Sequence, residues 1–302
     1  MSAIAILGPG GVGGFLAAAL ARGGEDVVVV AREETAAHLH RSGIEVQSVR
    51  LGSFTARPRV TAILKEEVDV LLVATKAPGL NAALERIAAQ PQLVVPLLNG
   101  LDHMLLLRTW FVPARVAAGA IRIEADRPQA GRIIQTSPFL RVDLASDDPG
   151  PHGSLQRLAA TLEGAGVPAR IGPSEAQILW SKLVRLNALA CTTSAADQPI
   201  GFIRTDPEWR AALVDCLAEG AAVARAEGAD INTEVPLREL EEAHAELGSS
   251  MQRDIAAGRE PELDAIPGAV LRAGARYGIE CPTIARLSAQ IARHAATQAP
   301  RL

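Results

Sequence analysis

The sequence predicts an α/β domain over residues 1–172 followed by an all-α domain over residues 173–302. Three observations carry this. The chain opens on an apolar run, a glycine-rich turn and an Ala/Leu segment of helical length. Strand-type and helix-type patterns then alternate through the first half, and after Pro173 only helix-type patterns remain.

The first strand is read at Ala3-Ile4-Ala5-Ile6-Leu7, and Gly8-Pro9-Gly10-Gly11-Val12-Gly13 follows at once. Phe15 to Arg22 reads as a helix and Val27 to Arg32 as a second strand. Strand, Gly-x-Gly-x-x-Gly, helix, strand is the dinucleotide-binding unit of a Rossmann-type domain. Gly8 allows the tight turn, Gly10 lets backbone approach a pyrophosphate, and Gly13 lets helix pack on strand. The pyrophosphate would rest on the helix N-terminus, where free N–H groups point at it. NAD enzymes end the second strand in an acid that binds the ribose 2′-hydroxyl, but this chain has Arg32, a planar cation suited to a 2′-phosphate. The expected cofactor is therefore NADP(H). Methyltransferases share a glycine-rich first turn, but usually place an acid where Arg32 stands.

Further strands are expected around Val60, over 69–74 and 93–98, then over 116–124, 132–135, 140–145 and 168–171, the later ones partly antiparallel. Helices are expected over 82–89, 103–110 and 155–163. In the second half they fall over 174–190, 209–227, 237–247, 249–257, 267–277 and 283–295, with Asp206 as N-cap and Pro207 at the first position of one of them.

Composition narrows the function. Hydrophobic residues make up 48% of 302, and the net charge is −4, which provides no basic field for nucleic acid or an anionic membrane. No apolar run reaches the roughly 18 residues of a membrane span. Met1 leads directly into the first strand, so no secretory leader is expected, and a cytoplasmic location is. Cys191, Cys216 and Cys281 are scattered and read as reduced core thiols, and the histidines form no metal pattern, so no metal is expected. Apolar helical faces allow a homodimer through the second domain.

Of 30 Lys+Arg, only Lys65, Lys76 and Lys182 are lysines. Where a surface cation suffices this chain uses Arg, so a retained lysine marks a need for a compact, titratable amine. Lys65, beside Glu66 and Glu67, reads as solvated. Lys76 follows the third strand, Asn99-Gly100 the fourth, and both occupy strand carboxyl ends, where open α/β sheets bind ligands. Lys182 lies in Leu179-Trp180-Ser181-Lys182-Leu183 within a helix. By pattern alone, Ser249 to Asp254 is a helix cap and Glu260 to Asp264 a solvated loop.

These stretches, with Thr75-Lys76, Ser250-Met251-Gln252-Arg253-Asp254 and Glu262-Leu263-Asp264, resemble the ketopantoate reductase family (2-dehydropantoate 2-reductases) in order and spacing over nearly the whole chain. The resemblance implies an NADPH-dependent reduction of a small 2-oxo acid in pantothenate biosynthesis. It implies Lys182 as catalytic general acid and Glu262 as the active-site glutamate, also near the cofactor. It implies Gly8, Pro9, Gly10, Gly11, Val12, Gly13, Arg32, Lys76 and Asn99 on the cofactor side, and Asn99, Lys182 and Ser250 at the substrate. A lysine suits the chemistry: its ammonium polarises the carbonyl oxygen and then gives up a proton.

The sequence departs from the family at three asparagines that hold the hydroxyacid. Leu186, Ala190 and Ile200 stand there, with Asn187 one step beyond Leu186. Loss of hydrogen-bonding groups from a polar pocket weakens that substrate severely, so a larger or less polar carbonyl compound is expected. Two other readings stay open: an opine- or imine-type dehydrogenase of similar architecture, distinguished by amine-dependent turnover, and a non-catalytic NADP-binding regulator, distinguished by lack of turnover.

Overall fold

The computed structural model describes residues 3–298. It falls into two compact units, one of residues 3–98 and 103–178, the other of residues 99–102 and 179–298.

In the first unit, β1 (Ala3–Leu7), α1 (Gly11–Arg22) and β2 (Asp26–Val30) lead into α2 (Glu33–Ser42), the antiparallel pair β3 (Ile44–Ser48) and β4 (Gly52–Ala56), and β5 (Arg59–Thr61). Then come β6 (Val70–Val73), α3 (Leu80–Leu84), β7 (Leu93–Pro96) and α4 (His103–Trp110), followed by β8 (Ala118–Arg122), β9 (Ala125–Gln129), β10 (Arg132–Gln135), β11 (Arg141–Ala145), α5 (His152–Gly164) and β12 (Ala169–Ile171). The main sheet has the order β5-β2-β1-β6-β7 and is parallel throughout. Its central strands are covered on both faces, so they read as continuous apolar runs rather than alternating ones. Val27 to Val30 are all 2% exposed or less. Chain order reverses between β1 and β6, which makes their carboxyl ends the ligand-binding crevice of such a sheet.

Two smaller sheets, β4-β3-β10-β9 and β12-β11-β8, complete this unit, with β8 antiparallel to β11 and β9 antiparallel to β10. The segment from Glu33 to Ala56 carries a helix and two strands that the hydrophobic pattern does not announce. Only Leu39 of α2 is buried. The helix is nonetheless well specified: Glu33 and Glu34 face the positive end of its dipole, His40 and Arg41 its negative end, and Gly43 (φ 73°) ends it.

The second unit takes in α6 (Glu175–Ala196) from Leu179 onward, α7 (Ile200–Thr205), α8 (Pro207–Ala226), α9 (Glu234–Glu241), α10 (Ser250–Ala256), α11 (Pro267–Tyr277) and α12 (Pro282–Gln298). Asp206 caps α8 by accepting from Glu208 N and Trp209 N, both at 3.0 Å. Helix α6 runs beyond the expected Ala190. Its last turns are polar, but Thr192 and Thr193 turn their hydroxyls back to the carbonyls of Ala188 and Leu189, which satisfies them without breaking the helix. Helix α9 stops at Glu241, short of the expected Leu247. The carbonyls at its end and beyond are taken instead by α7: Arg204 reaches Glu241 O and Ala243 O, Gly201 N reaches Ala245 O, and Ile200 N reaches Leu247 O. Cys191, Cys216 and Cys281 are buried, unpaired thiols.

Candidate functional site

The glycine-rich turn lies at the reversal point of the main sheet. Gly8 has φ +93°, and its N–H bonds Val30 O at 3.1 Å, so the chain leaves β1 through a left-handed residue while still tied to β2. A Cβ at Gly13 would lie 2.1 Å from Gly8 O and 3.0 Å from Ala74 Cβ, so only glycine lets α1 close onto the turn. A Cβ at Gly10 would meet nothing nearer than Ala74 O at 4.0 Å. The space over Gly10 is therefore open, as a phosphate cradle requires. Pro9 lies between these glycines and contributes no N–H. Gly11 and Val12 begin α1, with Val12 half-buried. Gly11 has a structural reason of its own, since a Cβ there would sit 1.9 Å from the Ala125 carbonyl oxygen. The hydroxyl of Thr75, beside Gly8, is buried and has no hydrogen-bond partner.

At the end of β2, Arg32 occupies the N-cap position of α2 and is exposed. The adjacent acid, Glu33, is the nearest group that could serve a ribose in the NAD manner. It is engaged elsewhere: Arg86 grips it with both terminal nitrogens, at 3.0 and 3.2 Å. That hydrogen-bonded guanidinium holds the Glu33 carboxyl below the usual carboxylate range. Lys76 is exposed, just past the end of β6. These residues fit a dinucleotide with a 2′-phosphate: an open glycine cradle, an unpartnered buried hydroxyl beside it, and a cation where the ribose acid would be.

The second unit collects Asn99, Lys182, Ser250 and Glu262. The loop containing Glu262 is only partly solvated: Glu260 and Asp264 are exposed, but Glu262 is only 6% exposed. Asn99 Nδ2 donates to Glu262 Oε2 at 3.0 Å, joining two motifs 163 residues apart. A buried carboxylate needs such a partner. Lys182 is half-buried on α6, and Leu186, one turn on, is half-buried as well. Ala190 and Ile200 are fully buried. Ser250 is the half-buried first residue of α10, and Ser249 performs the capping, accepting from Gln252 N at 3.0 Å while bonded to Thr193 and Ser194.

Asn187 does not stand in for the missing asparagine. Five residues from Lys182, it projects about 140° away around the helix. Its side chain is fully buried, accepts from Cys191 Sγ at 3.4 Å, and leaves Nδ2 unpartnered. Its neighbours Val184 and Cys191 face Gly220 and Cys216 of α8. Sequence reasoning assigned no role to Asp102, Asp264 and Arg272, which form an ion-pair cluster beside Asn99 and Glu262. Asp264 entered only as part of a stretch that carries the resemblance, and nothing in the local pattern of Asp102 or Arg272 separates them from ordinary surface charges.

A parallel sheet with a glycine-rich turn at its reversal point, followed in the chain by a helical unit, defines the class of two-domain dinucleotide-binding proteins. The family model "Ketopantoate reductase PanE/ApbA" matches residues 4–145, and its C-terminal counterpart matches residues 176–295. The chain is 31% identical to a 2-dehydropantoate 2-reductase of Caulobacter vibrioides, over 96% of this chain and 98% of that protein. It is 30% identical to one of Mycobacterium tuberculosis, over 92% and 93%. Among solved structures, a 2-dehydropantoate 2-reductase of Geobacter metallireducens superposes with a TM-score of 0.88 at 26% identity, over 96% of this chain and 99% of that one. A D-mandelate dehydrogenase solved with NADH and anilino(oxo)acetate shares the fold, with a TM-score of 0.89 at 20% identity, over 98% and 99%. The chain belongs to the ketopantoate reductase family and is an oxidoreductase.

Proposed function

We propose that the protein reduces the carbonyl of a 2-oxo acid to the alcohol with NADPH, and that its substrate is less polar than ketopantoate. The observation that carries the reading is the Asn99–Glu262 contact, which sets a buried carboxylate in the same unit as Lys182. In this reading residues 1–172 supply the nucleotide site and residues 173–302 the substrate site, with Asn99 serving both. The protein works in the cytoplasm, as a homodimer through the helical unit.

Gly8 to Gly13 would hold the pyrophosphate, Arg32 the 2′-phosphate, and Lys76 and Asn99 other parts of the cofactor. When bound, NADPH supplies a hydride to the carbonyl carbon. Lys182 polarises the carbonyl oxygen; as the C=O π pair moves onto that oxygen, Nζ gives it a proton and is later reprotonated from solvent. Glu262, fixed by Asn99, accepts a hydrogen bond from the substrate or orients Lys182. Ser250 donates to the substrate. Leu186, on the face of α6 that carries Lys182, replaces a polar contact with an apolar one, and this favours a substrate with an apolar side chain.

The test is a pair of substitutions at Lys182, assayed with NADPH on ketopantoate, 4-methyl-2-oxopentanoate and phenylglyoxylate. Lys182→Ala should lower kcat on the order of 10²–10⁴-fold and leave NADPH affinity unchanged. Lys182→Arg should not restore the rate, because it keeps the charge but does not release a proton at neutral pH. Wild-type turnover by the Arg variant would reduce Lys182 to a positioning cation. Wild-type turnover by the Ala variant would remove it from the reaction.

A further inference from the structure

The segment Asn99–Asp102 is an irregular strap lying on the stretch that runs from Glu262 into α11, all within the second unit. It is fastened at three points. Asn99 donates to Glu262 at 3.0 Å. Gly100, at φ +85°, leaves no room for a side chain, since a Cβ would lie 2.2 Å from Ala265 O. Asp102 meets Arg272, with Oδ2 2.5 Å from Nη2. The same guanidinium reaches Asp264 Oδ1 at 2.6 Å and Asp264 O at 2.8 Å. One planar fork thus ties a carboxylate three residues past Asn99 to a residue two past Glu262.

The three side chains are too exposed for this to be chiefly a stability device: Arg272 is 42%, Asp102 53% and Asp264 90% exposed, and exposed ion pairs add little to stability. What the cluster does fix is register. The Asn99–Glu262 bond survives only if the strap neither slides nor lifts from the Ala265 backbone, and a geometric error of about 1 Å in such a contact costs on the order of 10²-fold in rate.

We propose that Arg272 is a positioning residue for the reaction. Through Asp102 and Asp264 it holds Asn99 in register with Glu262. This rests on the reading of Asn99 and Glu262 as site residues given above.

The test is a double-mutant cycle on kcat/KM, using whichever of the three 2-oxo acids turns over fastest. Arg272→Met should lower kcat/KM about 10- to 100-fold, with the thermal midpoint nearly unchanged and NADPH binding weakened no more than by Asn99→Ala. Arg272→Lys, which keeps the charge but not the fork, should recover only part of the loss. In the Asn99→Ala background, Arg272→Met should have no further effect, because its target is gone. Losses that multiply, or wild-type turnover by Arg272→Met, would overturn the proposal while leaving the site reading intact. Wild-type turnover by Asn99→Ala would instead overturn the site reading. Asp102→Ala cuts only the strap side and carries the same comparison if Arg272→Met does not fold. Amide exchange gives a readout independent of turnover: Gly100 and Leu101 should exchange faster in Asp102→Ala, and unchanged exchange would count against the clamp.

Discussion

Arg32 gives a direct quantitative prediction, because its surroundings set the magnitude. It is exposed at the N-cap of α2, so its attraction to a 2′-phosphate acts in a nearly aqueous dielectric. Two unit charges about 4 Å apart in water attract by about 1 kcal/mol, and a phosphate monoester carries roughly 1.5–2 charges. The product, about 1.5–2 kcal/mol, falls at the low end of the 1.5–3 kcal/mol typical of hydrogen bonds to charged groups. At about 1.4 kcal/mol per decade, NADPH should bind roughly 12- to 30-fold more tightly than NADH. Arg32→Ala should erase most of that preference by weakening NADPH alone. Fluorescence titration with both cofactors, at about 0.1 M and 1 M salt, is the assay. The preference should shrink at high salt as the Debye length falls from about 10 Å to 3 Å. Glu33→Gln should leave the NADPH preference standing, since Glu33 is already engaged by Arg86. Equal affinities in the unmutated protein, or an Arg32→Ala variant that loses both cofactors equally, would refute the reasoning.

The neighbouring glycines should separate by function. Gly11→Ala drives a Cβ into the Ala125 carbonyl and should lower the thermal midpoint by several degrees, from about 1–3 kcal/mol of overpacking. Gly10→Ala meets no protein atom inside 4.0 Å and should leave the midpoint alone while weakening NADPH binding. Among substrates, ketopantoate should fall below about 10⁴ M⁻¹s⁻¹ in kcat/KM, phenylglyoxylate should exceed it, and Leu186→Asn should shift the ratio toward ketopantoate. Burial, with the nearby Glu219 carboxylate, pushes the Cys281 thiol up to about 11 from an ordinary 9.0. The folded state therefore favours the neutral thiol, so this contribution is complete below pH 9 and is lost as pH rises toward 11. Melting curves across that window should show a drop that Cys281→Ala reduces.

The parts of the fold that read well are those where one rule dominates. The turn from Gly8 to Gly13 is such a case: the φ at Gly8 and the close approach at Gly13 are backbone demands visible as spacing alone. The valine run of β2 and the Asp206-Pro207 helix start are others. What escaped were elements specified by charge and tertiary contact. Helix α2 buries only Leu39 and is held by its end charges and Gly43. Strand β3 finds its partner in β10, far along the chain, and the sheet they form with β9 presses on α1 at Gly11 and Gly14. That contact gives two glycines of the motif region a packing reason that a nucleotide fingerprint hides.

The site was legible one residue at a time but not as a cluster. Lysine scarcity singled out Lys182, and resemblance singled out Glu262, yet local pattern assigned Glu262 to a solvated loop. Its burial follows from a partner 163 residues away, which no local rule contains. Asn187 illustrates the same limit from the other side. By sequence it was one step from repairing the lost asparagine at Leu186, and a one-residue shift looked like a small correction. On a helix that shift is a rotation of about 100°. It carries Asn187 off the Lys182 face and toward the thiols Cys191 and Cys216 in the helical core. The polar group is turned off the Lys182 face altogether, and that face carries Leu186 instead. On the proposed reading the chemistry of the reduction survives that exchange, because Lys182, Asn99 and Glu262 remain, and recognition of a polar substrate by that turn of α6 does not, because a leucine offers no hydrogen bond to replace the one lost.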